Sequence, residues 1–196
     1  MIDAVMHALT NVGDSAITLP IGAVVLVWLA IWGDRRNALL WLAALFLCAG
    51  VTAALKIYFK ACPAPGIDLD SPSGHTSMSL YVYGGVTLVT AVQYRQWPRQ
   101  TVLALGALLV LAIAASRAVL EFHTITEVIV GFVIGIAALA LFWLFYRHHR
   151  PVAMPAWPLW VVALVPIVFL SGHSLSAEGL LGRIARFLHA IVGFCV

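Results

Sequence analysis

The stretch Ser71-Pro72-Ser73-Gly74-His75-Thr76 lies between two long apolar runs, at the point where the sequence predicts the start of a helix. It brings a hydroxyl, a glycine and an imidazole close together in the chain. The first turn of a helix leaves backbone N–H groups free, and the helix dipole favours an anion there. A histidine beside that anion can give or take a proton. The same residues also fit an ordinary turn with a capping serine, so the interpretation depends on the rest of the chain.

The rest of the chain has the composition of a membrane protein. Of its 196 residues, 63% are hydrophobic and only 10% are charged, whereas about a quarter of the residues in a soluble domain are charged. Most apolar runs approach the ~17–25 residues that a helix needs to span a bilayer. We therefore predict an all-α, polytopic membrane bundle that forms a single domain over residues 1–196. Its six transmembrane helices are predicted at Ala16–Trp32, Ala38–Leu55, Ser77–Val92, Thr101–Ala115, Val128–Tyr146 and Trp157–Leu170.

Two features of the pattern concern packing and the ends of the chain. Gly131 and Gly135 are four residues apart in the fifth span, a spacing typical of close helix packing. Residues 1–13 suit a short helix at the membrane interface. Residues 172–196 combine apolar side chains with Arg183 and Arg186, which predicts an amphipathic helix on the outer surface.

The arginines predict the orientation of the bundle. Three of the short loops between spans carry arginine pairs, namely Arg35 and Arg36, Arg95 and Arg99, and Arg147 and Arg150. The positive-inside rule places these loops in the cytoplasm. Both termini and the loop at residues 73–75 are then expected to face outward, which in a bacterium means the periplasmic face of the inner membrane. The formal net charge of +3 reflects this topology and gives no reason to expect a nucleic-acid partner.

The three cysteines, Cys48, Cys62 and Cys195, do not form a metal-binding pattern. Cys48 lies in the middle of a span, where it is expected to act as a small apolar residue. Cys62 and Cys195 would both face the outer compartment, where disulfides persist. The sequence does not show whether they lie close enough to bond.

Chemically competent side chains from separate segments are predicted at the outer ends of the spans. Such ionisable residues are costly at the edge of a membrane unless they have a function or reach water; a lone lysine there could also snorkel. Cations and free N–H groups neutralise phosphate charge, one histidine can attack phosphorus, and another can protonate the leaving oxygen. These groups therefore suit phosphoryl transfer. They are Lys56, Lys60, Ser73, Gly74, His75, Arg117, His123 and Glu127.

His123 and Glu127 are four residues apart, so on a helix they share a face and the carboxylate can orient the imidazole. By themselves the two residues also fit a simple pair at the start of a helix, without chemistry. Glu127 is expected at a wet end of the span, where its replacement would change folding little.

The order of these residues resembles the type 2 phosphatidic acid phosphatase superfamily, which is related in its site to the vanadium haloperoxidases. The family pattern is Lys-x6-Arg-Pro, then Pro-Ser-Gly-His, then Ser-Arg-x5-His-x3-Asp. Here Lys56, Pro-Ser-Gly-His at 72–75, and Ser116-Arg117 followed by His123 and Glu127 correspond to it. The resemblance covers residues 56–127, and the predicted six-span layout is similar to that of bacterial membrane members.

The resemblance implies a role for each matching residue. His75 would be the general acid, and His123 would form a phosphohistidine that water then hydrolyses. No metal or other cofactor is expected, because cations of the protein neutralise the phosphate; Asp68 and Asp70 could hold a divalent ion, but they also suit a solvated loop. The phosphate would be bound by Lys56, Ser73, the Gly74 backbone and Arg117.

The chain departs from the family pattern at two positions. In the family pattern, six residues separate the lysine from an Arg-Pro pair. Here Cys62-Pro63 follows Lys56 after only five residues, and cysteine stands in place of the arginine. Lys60 is therefore a candidate replacement cation. Glu127 replaces the final aspartate and is one methylene longer. Both changes could lower activity or indicate a different substrate geometry.

The predicted function is an integral membrane lipid phosphatase that acts on a lipid mono- or diphosphate at the outer leaflet. Undecaprenyl diphosphate is the preferred substrate in a bacterial host, with phosphatidic acid, phosphatidylglycerol phosphate and lipid A phosphate as rivals. One alternative is a phosphotransferase that passes the phosphoryl group to another lipid. Another is a non-catalytic lipid transporter or scaffold with a retained phosphate pocket. The oligomeric state is not predicted.

Overall fold

The chain is all-helical in the part that a computed structural model describes, residues 2–62, 66, 68–94, 96–148, 155–172 and 178–192. These residues contain eight α-helices and no strand, which confirms the prediction of an all-α fold. The helices are α1 (Ile2–Val12), α2 (Ser15–Trp32), α3 (Arg35–Ala61), α4 (Gly74–Ala91), α5 (Gln96–Val119), α6 (Ile125–Tyr146), α7 (Trp157–Leu170) and α8 (Glu178–Val192).

Four helices among the described residues, α2, α3, α5 and α6, are long and apolar enough to cross a membrane. Helix α4 has 18 residues but contains many Ser, Thr, Tyr and Gly residues, and 14 of its residues are buried within the bundle. Helix α7 is apolar but has only 14 residues. Each of the six predicted spans thus coincides with a helix, whereas the number of helices that cross the membrane stays a prediction.

Helix α4 lies at the centre of the bundle and packs against α2, α3, α5 and α6. Gly85 allows the Trp41 ring to lie directly on the α4 backbone, because a Cβ atom at this position would be 2.3 Å from the ring. The Tyr81 hydroxyl donates a hydrogen bond to the Trp41 carbonyl at 2.6 Å. Close packing and hydrogen bonds of this kind hold helices together where lipid reduces the hydrophobic driving force.

The polar side chains of α4 are satisfied inside the bundle. The Thr87 hydroxyl donates to the Tyr83 carbonyl at 2.7 Å, and the Thr90 hydroxyl donates to the Val86 carbonyl at 2.7 Å. A buried polar group without a partner would cost about 1–3 kcal/mol. These bonds explain how a helix with low hydropathy can occupy the centre of an apolar bundle.

The helices alternate in direction, and one end of the bundle gathers the α1–α2 junction, the ends of α3 and α5, and the starts of α4 and α6. The contacts across this end are long-range: the Ser73 N–H donates to the Glu127 carbonyl at 3.0 Å, and Arg117 donates to Thr10. All the segments in which the sequence placed candidate site residues therefore meet at the same end.

Helix α8 packs along the end of α3, where Ala185 is buried against Ile57, Ala61 and Cys62. Phe187 remains 60% exposed, as expected for an amphipathic helix. The position of α8 on the outward-facing surface of the membrane stays a prediction.

Cys48 is buried and free, as expected for a small apolar residue. Cys195 lies outside the described residues, as do Pro63 of the altered first motif and Arg95 and Arg150 of the predicted cytoplasmic loops. The structure therefore does not test a bond between Cys62 and Cys195, which the sequence left open, and the orientation of the bundle stays a prediction.

Candidate active site

A cavity of about 700 Å³ opens at the end of the bundle where the candidate residues meet. Its polar lining includes four of the residues singled out in the sequence, Lys56, Gly74, His75 and Arg117. The remaining lining is largely apolar and extends from the start of α4 towards α2, α3 and α8. The apolar contributors include Leu19, Ala49, Ala53, Met78 and Leu181.

Lys56 reaches the cavity from α3 and passes directly beside the start of α4. It is only 5% exposed. A Cβ atom built on Gly74 would be 3.6 Å from Lys56 Cε and 3.9 Å from Nζ. The ammonium group is therefore close to the backbone of the first helical turn, where helix N–H groups favour an anion.

Ser73 is the N-cap of α4, and its side chain is used inside the protein. Its hydroxyl oxygen accepts hydrogen bonds from the Thr76 backbone at 3.4 Å and from the Thr76 hydroxyl at 3.0 Å. Ser73 is fully buried and does not line the cavity. The capping serine that the sequence also allowed is present, while the predicted phosphate contact of Ser73 remains a prediction.

Two small residues of α6 bring this helix against the start of α4. A Cβ atom on Gly131 would be 2.5 Å from the Ser73 carbonyl oxygen, and one on Gly135 would be 2.8 Å from the Ser77 carbonyl oxygen. Such distances are shorter than van der Waals contact, so only glycine permits the observed approach. The predicted packing role of Gly131 and Gly135 is confirmed.

Arg117 is held over the cavity by residues of α1 and of the loop after α5. Its Nη1 donates a hydrogen bond to Thr10 Oγ1 at 2.7 Å, and its guanidinium carbon lies 4.6 Å from the centre of the Phe122 ring. A cation above an aromatic face is stabilised by the ring quadrupole. Neither Thr10 nor Phe122 belongs to a sequence motif, so no local pattern indicates that they contact Arg117.

His123 and Glu127 form a direct pair, with 2.7 Å between His123 Nδ1 and Glu127 Oε2. An ionised carboxylate can only accept hydrogen bonds, so Nδ1 carries the proton and Nε2 retains its lone pair. The pair therefore presents the imidazole in the tautomer that a nucleophile requires.

Glu127 makes two further hydrogen bonds that explain why it is a glutamate. Its Oε2 also accepts from the Thr124 N–H at 3.2 Å, which completes a capping box at the start of α6. Its Oε1 accepts from the Ser71 N–H at 2.5 Å. A capping box requires Glu or Gln at this position, because the side chain must reach back over one turn. Glu127 is only 5% exposed, so the expectation of a wet position was wrong.

The electrostatic surroundings favour the neutral form of His123. Burial lowers the pKa of His123 below its ordinary value, and the positive charges of Lys56 and Arg117 act in the same direction, against the opposing effect of Glu127. A neutral imidazole at neutral pH has a lone pair available for attack.

His75 contacts a carboxylate that the sequence analysis did not single out. Its Nε2 lies 3.3 Å from Asp14 Oδ2. Asp14 is also the N-cap of α2, where its Oδ1 accepts from the Ala16 N–H at 2.8 Å. An aspartate immediately before an apolar run is a recognisable capping signal, but nothing local shows that it faces a histidine in another helix.

Four predicted site residues do not line the main cavity, namely Ser73, Glu127, Lys60 and His123. Lys60 is exposed one turn beyond Lys56 and does not line the cavity. His123 borders a smaller cavity of about 400 Å³ together with Asp68 and Glu121. The structure therefore does not bring Lys60 together with the other cations, and its role as a replacement cation stays a prediction.

Within the described residues, no group of three or more His, Cys, Asp or Glu side chains could hold a metal ion. Asp68 and Asp70 are exposed. The Asp68 carbonyl accepts a hydrogen bond from the Thr124 hydroxyl at 2.9 Å, which ties this loop to the start of α6.

Comparison with known proteins agrees with this geometry. Residues 58–151 match the model of the PAP2 superfamily. The match includes His75, Arg117, His123 and Glu127, and it confirms the predicted resemblance to the type 2 phosphatidic acid phosphatase superfamily. Lys56 lies just before the matched residues.

One similar curated protein comes from Klebsiella pneumoniae. It is described as an uncharacterized 22.5 kDa protein in the cps region. It is 27% identical over 180 residues, which cover 88% of this chain and 86% of that protein. No solved structure matches the chain significantly.

Proposed function

We propose that the chain is an integral membrane phosphatase that removes the terminal phosphate from a lipid mono- or diphosphate. The match to the PAP2 superfamily supports a phosphatase-type activity. The observation that carries the proposal is the cavity itself, in which Lys56, His75 and Arg117 line the same space as Leu19 and Met78. The cations suit a phosphate, and the apolar wall suits the hydrocarbon chain next to it.

In the proposed reaction, Lys56, Arg117 and the first N–H groups of α4 neutralise the phosphate. His123 Nε2 attacks phosphorus while Glu127 stabilises the charge that develops on the ring. The bond between phosphorus and the leaving oxygen breaks, and His75 gives a proton to that oxygen. Water then attacks the phosphohistidine, His75 takes up a proton from this water, and inorganic phosphate leaves.

The preferred substrate in a bacterial host is undecaprenyl diphosphate, and the proposed location of the site is the outer leaflet. Phosphatidic acid, phosphatidylglycerol phosphate and lipid A phosphate are the rival substrates. The apolar lining of the cavity supports a lipid over a soluble phosphate, but it fits each of these lipids.

The test is phosphate release by the purified protein in detergent, with each of these four lipids and with His123→Ala as the inactive control. We expect release from at least one lipid, inhibition by vanadate, which mimics pentavalent phosphorus, and full activity in a chelator. Acid-labile phosphate on the wild-type protein but not on His123→Ala would support the phosphohistidine. No release from any lipid would overturn the proposal.

The phosphotransferase alternative shares the same first step, so only the fate of the phosphoryl group distinguishes it. With a radiolabelled donor lipid and an unlabelled acceptor lipid, a hydrolase yields labelled inorganic phosphate. Label in the second lipid would identify a transferase. Absence of both products together with binding of the lipid would favour a transporter or scaffold.

A further inference from the structure

The α1–α2 junction places a buried carboxylate against the second histidine of the site. Asp14 is 7% exposed and lines the main cavity together with His75. Its two oxygens have different partners: Oδ1 accepts from the Ala16 N–H at 2.8 Å, and Oδ2 lies 3.3 Å from His75 Nε2. One oxygen thus fixes the carboxylate on the start of α2, and the other faces the imidazole.

The charges around His75 come from every element that borders it. Arg117 of α5 and His123 before α6 interact electrostatically with His75. Lys56 of α3 and His7 of α1 line the same cavity. Burial of the ring and the positive charge of Arg117 disfavour a protonated imidazole, which is the form that a general acid requires. Asp14 is the carboxylate in contact with the ring and acts in the opposite direction.

We propose that Asp14 is a positioning residue that holds the His75 ring through Nε2 and favours its protonated form. This inference rests on the proposed function, in which His75 protonates the leaving oxygen. Asp14 lies outside residues 58–151, the part of the chain that matches the superfamily. It is therefore a contribution of this chain's own N-terminal segment to the site.

The proton balance assigns a constant charge to Asp14. In the first step His75 gives the proton on its ring to the leaving oxygen and becomes neutral. In the second step it regains a proton from the attacking water. Asp14 stays ionised throughout, so it stabilises the imidazolium before the first step and after the second without itself exchanging a proton.

The substitution Asp14→Asn separates this role from the capping role. Asparagine is as good an N-cap as aspartate, so the bond to the Ala16 N–H can persist. The matched control is Asp34→Asn, because Asp34 caps α3 by accepting from the Asn37 N–H at 2.7 Å and does not line the cavity. Both variants lose one carboxylate at a helix start, and only one of these carboxylates faces His75.

The measurement is the pH dependence of kcat/KM for a lipid phosphate and for nitrophenyl phosphate, whose leaving group departs without protonation. For Asp14→Asn we expect the alkaline limb with the lipid substrate to move to lower pH, because the acid loses its proton more readily. Turnover of the lipid at pH 8 should fall by about 10–100-fold, part of the usual contribution of a general acid. Turnover of nitrophenyl phosphate should change by less than about threefold, and Asp34→Asn should leave both profiles unchanged.

Equal losses on both substrates with an unmoved pH profile would overturn the inference in favour of a structural role, and so would an unchanged Asp14→Asn enzyme. A second readout does not depend on activity: NMR titration of the His75 ring in detergent, compared between wild type and Asp14→Asn. We expect the ring of the variant to lose its proton at lower pH. If wild type released no phosphate from any substrate, the proposed function would fail. The titration would then test by itself whether Asp14 favours the protonated form of His75. An unmoved midpoint would overturn the inference.

Discussion

The replacement of Glu127 by glutamine tests how the site is held together, because both carboxylate oxygens accept hydrogen bonds. Oε1 accepts from the Ser71 N–H, and Oε2 accepts from the Thr124 N–H and from His123 Nδ1. Glutamine has only one acceptor oxygen and an NH₂ group in place of the other. Whichever way the amide is turned, an NH₂ group faces a donor.

The two orientations of the amide have different consequences. If the oxygen keeps Thr124 and His123, the NH₂ group faces the Ser71 N–H, and an unsatisfied buried donor costs about 1–3 kcal/mol. If the oxygen turns to Ser71, His123 Nδ1 must become an acceptor and its proton moves to Nε2. The nucleophilic lone pair is then lost.

We therefore expect Glu127→Gln to lose stability as well as activity. The expected loss in free energy of unfolding is ~1–3 kcal/mol. For a chain of this size, each kcal/mol lost lowers Tm by ~2–4 °C. The rate should fall by ~10²–10⁴-fold, the scale of a group that supports acid–base chemistry. Glu127→Asp should also slow the enzyme, because the shorter side chain does not reach back to the Thr124 N–H.

The assay is phosphate release and thermal unfolding in detergent for wild type and these two variants. The matched control is Glu121→Gln, since Glu121 is exposed in the loop before α6 and should tolerate the change. A Glu127→Gln variant that remains folded with nearly wild-type turnover would refute the reasoning and show that His123 is oriented by another group.

Three further predictions concern packing, protonation and topology. Gly131→Ala should destabilise the protein by about 1–3 kcal/mol, because its Cβ would be 2.5 Å from the Ser73 carbonyl oxygen. The control Gly50→Ala should lose no stability, because nothing lies within 4 Å of its Cβ. Equal unfolding temperatures for the two variants would contradict this prediction. Because burial and two neighbouring cations lower the pKa of His123, the acid limb of kcat/KM should lie below pH 6.5, and a limb above this value would oppose the assignment. An impermeant thiol reagent should label Asp3→Cys in intact cells, and labelling only after lysis would reverse the predicted orientation.

Hydropathy was sufficient to predict these helices because the runs are long and apolar, and three of them begin directly after a polar cap. Asp34, Ser73 and Thr124 stand at the starts of α3, α4 and α6, and each accepts a hydrogen bond from the first turn of its helix. What hydropathy could not decide is the membrane position of α4, because its polar side chains are satisfied within the bundle. Thr87 and Thr90 donate to carbonyls of α4 itself, and Tyr81 donates to a carbonyl of α3.

The motif residues were predictable because their chemistry and order are visible in the chain, but their surroundings were not. His123 lies just before the N-cap of α6, and Glu127 reaches back over the first turn of the helix to meet it, so their contact is local in sequence. Thr10 and Asp14 reach the site from a different segment, and no local pattern indicates such contacts. The burial of Glu127 was missed for the same reason, since its partner Ser71 is 56 residues away in sequence.

The bond between Thr10 and Arg117 joins residues that are 107 positions apart. Helix α1 can make this bond only when the last turn of α5, which carries Arg117, is in place beside it. The guanidinium predicted to bind phosphate is therefore ordered by docking of two helices that are distant in sequence. A chain in which α1 has not docked would contain both histidines of the motifs but would lack the bond from Thr10 that holds the guanidinium.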